Sequence, residues 1–187
     1  DQAETVLHRI VRSTGLAGLT GILPLRTDLS IPIIRPLLFA GREQIVRYAQ
    51  ENQLSYRHDA MNADLQFTRS RIRHQLLPLL KKSYNPQIEE ALNHLASLAQ
   101  DDEAFWQSYV ENLRLRVGEA TEESPADRRR FLHLTRAEQS RLIRLYCFLH
   151  GIEPSWLQIE NVLSLLSGER PQCEIHLSAD FRFYRRY

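Results

Sequence analysis

Ile88, Leu92, Leu95, Ala99, Trp106, Tyr109 and Leu113 recur at intervals of three and four, and the rhythm breaks only at Asp102. A stripe with that return keeps one face of an α-helix apolar. The spacing predicts one helix of roughly 30 residues, about 45 Å long at 1.5 Å per residue. Phe105, Trp106 and Tyr109 fall on it as packing groups. A rod of that length commits the second half of the chain to helical architecture. Just before it, Lys81-Lys82-Ser83-Tyr84-Asn85-Pro86 is the strongest punctuation in the sequence, because Asn-Pro favours a turn and stops a helix. The 187 residues therefore divide into an expected first domain over residues 1–82 and a second over residues 83–187.

The first domain ends in Arg69-Ser70-Arg71-Ile72-Arg73-His74, followed by Gln75-Leu76-Leu77-Pro78. Leu65, Ile72, Leu76 and Leu80 recur at helical spacing, which favours a helix over a strand. On a helix Arg69 and Arg73 share one face, four residues apart, while Arg71 points elsewhere. Guanidinium forks suit carboxylate and phosphate recognition better than lysine does. The stretch is thus either the solvated face of an amphipathic helix or an anion site.

At the amino end, Asp1-Gln2-Ala3-Glu4 precedes Thr5-Val6-Leu7 and Ile10-Val11. Asp1 and Glu4 have the spacing of a capping box. The same spacing puts two carboxylates on one helix face, where they can hold an ammonium group or a divalent cation. Gly15 is the expected left-handed stop, with Gly18 and Gly21 keeping the next segment loose. Ile31-Pro32-Ile33-Ile34-Arg35-Pro36-Leu37-Leu38 reads as an extended apolar piece, in which Arg35 either snorkels to the surface or points into a cleft. Residues 41–49 read as a helix with Ile45, Tyr48 and Ala49 inward. Residues 54–59 read as a strand or extended connection, and Asp59 and Asn62 as turn residues. His8 and His74 have no second ligand at metal spacing, so no metal site is expected.

In the second half, residues 118–125 form a polar, acidic loop, and Thr135-Arg136-Ala137-Glu138 is a capping box. It opens a helix with Leu142, Ile143, Leu145 and Tyr146 inward. Another helix follows Pro154. The tail alternates in period two over residues 173–177 and 181–185 around Ser178-Ala179-Asp180, as a hairpin does. The net charge is only +1, so a nucleic-acid partner has to be argued from local basic clusters, at residues 128–130, 136–144 and 182–186. Cys147 and Cys173 are the only cysteines, neither a disulfide framework nor a CxxC pair, and a reducing cytoplasm is the expected compartment. No apolar run approaches the ~20 residues of a membrane helix, so no membrane partner is expected.

Taken in order, Asp1-Gln2-Ala3-Glu4-Thr5, Arg35-Pro36-Leu37-Leu38, Arg42-Glu43-Gln44-Ile45, Asp59 to Asn62, Arg69-Ser70-Arg71-Ile72-Arg73-His74 and Leu77-Pro78 resemble the tRNA(Ile)-lysidine synthetases. The motifs cover residues 1 to about 80; beyond that the likeness is one of architecture. The resemblance implies an α/β fold, an incomplete doubly wound PP-loop domain, followed by a mainly helical domain with a small β-hairpin. It also implies ATP with Mg2+ as cofactors, and isoleucine tRNA and free lysine as partners; it is compatible with a homodimer. The implied reaction adenylates the wobble cytidine and lets the lysine ε-amine displace AMP. The family's Ser-Gly-Gly-x-Asp-Ser phosphate loop and its catalytic histidine are expected before Asp1, so the chain reads as a fragment, inactive alone. Asp1, Glu4 and Arg69 are placed on the lysine substrate as catalytic and binding groups. Arg35, Arg71, Arg73, His74, Lys81 and Lys82 are placed at phosphate or nucleic acid. Ser70, Met61 and Gly41 depart from the family's usual Asn, Ser and Ser, altering hydrogen bonding but no charge. A PP-loop tRNA-thiolating enzyme and a non-catalytic helical RNA-binding module are the alternatives.

Overall fold

The structure, a computed structural model, describes residues 1–12, 14–27, 30–56, 64–121, 126–168, 173–178 and 181–185. It comprises two compact units, Asp1–Glu103 and Ala104–Tyr187.

The first unit opens with α1 (Gln2–Val11), followed by a 3-10 turn (Leu16–Thr20). Strands β1 (Leu25–Arg26) and β2 (Ile33–Ile34) pair antiparallel, Leu25 opposite Ile34. Helix α2 (Arg42–Glu51) comes next. The basic stretch is helical as expected but not uniform: α3 (Thr68–Arg71) passes through a π turn (Ile72–Leu76) into α4 (Leu77–Ser83). Pro78 has no N–H to offer the carbonyl one α-turn back, and the widened turn falls just there. Bonds from i to i+5 set residues five apart one above the other, so Ile72 and Leu77 both enter the core with Ala3, Val6, Leu7, Leu92 and Ala96. Leu65, expected on the same stripe, lies before the helix and is exposed.

Three expectations are corrected here. Helix α1 ends at Arg12 in a non-left-handed conformation, and Gly15 is extended, with φ −74°. The left-handed glycine is Gly21, φ +64°, which is buried. The segment around it is tethered rather than loose. Gln2 Nε2 donates to Ile22 O at 3.3 Å, Ile22 N donates back to Gln2 Oε1 at 2.6 Å, and Arg9 Nη1 donates to Gly18 O at 2.6 Å. A Cβ on Gly21 would stand 2.6 Å from that Gln2 oxygen. Gly21→Ala is therefore expected to cost about 1–2 kcal/mol for the left-handed backbone alone. Adding Gln2→Ala should relieve only the clash, as a double-mutant cycle in thermal unfolding would report. Third, Ile45 and Tyr48 of α2 are exposed; Ile45, with Val46 and Ala49, borders a cavity instead of a core. Of the extended connection at 54–59, residues 54–56 carry no strand; Arg57, His58, Asp59, Met61 and Asn62 lie outside the described residues.

Helix α5 (Ile88–Val117) has the expected length, 30 residues. Packing changes from one unit to the other between Glu103 and Ala104, beside the break in the stripe at Asp102. Leu92 and Ala96 belong to the first core, and Val110, Leu113 and Val117 to the second. The turn at Asn85-Pro86 therefore starts α5 without separating the packing units. The second unit continues with α6 (Arg128–Leu132), α7 (Arg136–Leu149), α8 (Trp156–Ser167) and the hairpin β3 (Cys173–His176) and β4 (Arg182–Arg185), Ile175 opposite Phe183. Leu142, Ile143, Tyr146, Ile159 and Val162 fill its core.

Local signals start these helices. The Thr135/Glu138 capping box forms, and a second joins Ser155 to Gln158. Asp127 accepts from Arg129 N at 2.8 Å and Arg130 N at 3.2 Å. Asp127→Ala is expected to lower the stability of the second unit by about 1 kcal/mol, read from its urea midpoint.

Candidate functional site

Asp1 and Glu4 stand three residues apart at the start of α1, and Arg69 and Arg73 four apart across the α3–π junction. These two faces meet. Arg73 Nε donates to Glu4 Oε1 at 2.6 Å, and its Nη2 donates to Glu4 Oε2 and Asp1 Oδ1, both at 2.8 Å. Arg69 Nε donates to Glu4 Oε2 at 3.3 Å, and its Nη2 lies 3.9 Å from Asp1 Oδ1. The expected capping box does not form: Asp1 is the N-cap residue, but its side chain makes no capping bond. Guanidiniums more than sixty positions away outcompete backbone N–H groups for these oxygens, because a bidentate charged fork is the stronger partner.

The cluster is graded in depth. The Glu4 and Arg73 side chains are 9% and 18% exposed, those of Arg69 and Asp1 53% and 64%. Burial pulls the Glu4 carboxyl up, but the hydrogen bonds and charge of Arg73, with Arg69 behind, hold it below its ordinary value. Two carboxylates are balanced by two guanidiniums, and both Glu4 oxygens are taken. Both Glu4 oxygens and Asp1 Oδ1 are engaged by Arg73, so the two carboxylates are not left free to chelate a divalent cation between them.

Asp1 and Glu4 also line a cavity of about 730 Å³. Its other walls are Ile22, residues 35–38, Ala40, Arg42, Tyr56 and the Ile45, Val46 and Ala49 face of α2. Arg35 is among the residues lining this cleft, and its Nη1 donates to Leu23 O at 2.9 Å. The cavity is thus acidic at one wall, basic at another and apolar between.

The remaining basic candidates lie apart from this cluster. Arg71 is exposed and donates to Thr68 Oγ1 at 3.1 Å; Lys81 pairs with Glu89 at 3.7 Å; His74 and Lys82 are exposed. In the second unit much of the basic sequence is spent internally. Arg128 donates to Leu166 O at 2.8 Å and Gly168 O at 3.0 Å, and the buried Arg185 to Leu165 O at 2.9 Å and to Gly168 O. Both thereby cover the carboxyl end of α8. Arg130 donates to Arg116 O at 2.8 Å, Arg136 pairs with Glu160, Arg182 with Glu174 at 3.0 Å, and Arg141 lies over the Trp106 ring. Cys147 is buried, its thiol pushed up to about 11 by burial, which makes it inert.

Residues 1–80 match the PP-loop domain family, and residues 127–187 match the TilS substrate binding domain. A PP-loop domain followed by a mostly helical substrate-binding domain with a small hairpin is thus the class of protein defined. Relatives with both sequence and name in common are tRNA(Ile)-lysidine synthases. That of Solibacter usitatus is 45% identical over 113 residues, 60% of this chain and 25% of its own length. That of Thermosynechococcus vestitus is 38% identical over 150 residues, 80% and 42% respectively. That of Clostridium acetobutylicum is 30% identical over 190 residues, 100% and 40%. The chain belongs to the tRNA(Ile)-lysidine synthase family, and it spans less than half the length of these curated relatives.

Proposed function

We propose that this chain is part of an ATP-dependent enzyme joining free lysine to the wobble cytidine of an isoleucine tRNA, and that the cluster beside the cavity is its lysine site. The observation carrying this reading is an acidic and apolar cavity next to a guanidinium cluster. Within the cavity Asp1 offers a carboxylate to an ammonium group, and Ile45, Val46 and Ala49 an apolar wall to an aliphatic stem. Arg69, outside the cavity lining but with its Nη2 3.9 Å from Asp1 Oδ1, offers a guanidinium to a carboxylate. Asp1 and Arg69 are the open members of the cluster, and so the ones a ligand meets. The lysine amine must shed a proton before it can attack. The new C–N bond then forms as AMP leaves.

ATP, with Mg2+, supplies the adenylate. The chain contains no Ser-Gly-Gly-x-Asp-Ser sequence, and no residue here is assigned to those groups. The second unit is proposed to contact tRNA through phosphate neutralisation. Against a thiolating enzyme stands the lack of an accessible cysteine pair: Cys147 is buried and Cys173 lies on β3. Among the described residues no helix is long and apolar enough to cross a membrane.

The test is ATP- and lysine-dependent modification of isoleucine tRNA by the whole gene product containing residues 1–187. Turnover requiring both supports the ligase; tRNA binding without lysine-dependent turnover overturns it in favour of an RNA-binding module.

A further inference from the structure

We propose that Arg73 is a positioning residue: its guanidinium fixes both oxygens of Glu4 and one of Asp1, so that Glu4 is a fixed support in the cavity wall while Asp1 and the more exposed Arg69 beside it are left to meet the ligand. The inference rests on the lysine reading above and moves Arg73 from phosphate recognition into the site's internal support.

Three contacts within 2.8 Å leave Arg73 Nε and Nη2 fully engaged. The side chain is 18% exposed, and three of the five N–H donors of its guanidinium are spent within the cluster. Glu4, at 9% exposure, needs this fork. Without it, a buried carboxylate would retain one long contact, from Arg69 at 3.3 Å. Burying a carboxylate with so little compensation is costly, and Glu4 would draw Arg69 onto itself. Arg69 would then be lost to the ligand carboxylate. Arg73 thus keeps Arg69 available without touching substrate. A lysine in its place is a point charge, able to reach one of the three oxygens well but not to bridge them.

The whole gene product is compared with Arg73→Ala, Arg73→Lys, Glu4→Gln and the Arg73→Ala/Glu4→Gln double variant. For each, KM for lysine, KM for tRNA and kcat are measured, with calorimetric titration of L-lysine. The expected result is a tenfold or larger rise in lysine KM for Arg73→Ala, tRNA KM within twofold, and partial recovery in Arg73→Lys. The double variant should lose no more than Arg73→Ala alone, because both changes remove one prop. An unchanged lysine KM, additive losses in the double variant, or a change confined to tRNA KM and its salt dependence would overturn the proposal. Arg73→Lys retains charge and serves if the alanine variant does not fold. A lysine-independent readout separates the two readings: the Glu4 carboxyl, followed by carbon-13 NMR, should titrate nearer its ordinary value in Arg73→Lys. Wild-type protein that binds no lysine but shows this shift sinks the lysine site; an unmoved Glu4 titration sinks the positioning role.

Discussion

Replacing Arg69 by alanine in the whole gene product should raise the lysine concentration needed for half-maximal turnover roughly thirtyfold and leave tRNA affinity within twofold. Arg69 is 53% exposed and holds Glu4 only at 3.3 Å, so its removal leaves the inner pair standing. What is lost is one charge-assisted hydrogen bond to the ligand carboxylate, about 2 kcal/mol, and each 1.4 kcal/mol is about tenfold in affinity. Steady-state kinetics with lysine and tRNA varied separately checks it. Equal losses for both substrates would move Arg69 to the nucleic-acid surface.

Glu4→Gln should have the largest effect on stability and a characteristic pH dependence. The folded Glu4 carboxyl lies below its ordinary value of 4.5. A group lowered in this way stabilises the fold above its unfolded pKa, and the contribution is lost as pH falls through the folded value. At neutral pH the substitution is expected to cost about 2 kcal/mol, less than for a fully buried pair because Arg73 retains some solvent and the amide oxygen can still accept. For a unit of this size that is roughly 10 °C in melting temperature. As pH is lowered past 4.5 the wild-type and variant curves should converge, because the wild type loses an ion pair that the variant lacks. Thermal melts between pH 7 and pH 3 decide it. A constant gap would mean that the Glu4–Arg73 contact contributes through packing rather than charge.

What the sequence made legible was mostly local. The spacing of Arg69 and Arg73 put them on one face, the rhythm from Ile88 to Leu113 outlined α5, and Thr135-x-x-Glu138 marked the start of α7. Partnerships between distant residues were not legible. Asp1 and Glu4 carry a capping pattern that Arg73 overrides, and nothing within the first turn of α1 signals it. Gly15 had the position of a helix stop, but the left-handed backbone is at Gly21, where the Gln2 amide bonds Ile22. The Ile45 stripe had the period of a buried face; periodicity reports an apolar side without saying whether a core or a cavity adjoins it. Residues 128–130 read as a basic patch, whereas Arg128 and Arg130 serve carbonyls at the ends of α8 and α5. A salt slope for RNA binding reckoned from arginine count would therefore be too steep.

The π turn has a consequence for anyone wishing to regularise this protein. Deleting one residue between Ile72 and Leu76 would remove the extra residue of the wide turn, yet advance all that follows by about a quarter-revolution relative to Arg69. Either Leu77 would leave its apolar neighbours or Arg73 would swing off Glu4. The irregular winding thus acts as a phase adjuster, letting one helix satisfy a hydrophobic contact and an ionic one that a constant pitch could not serve together.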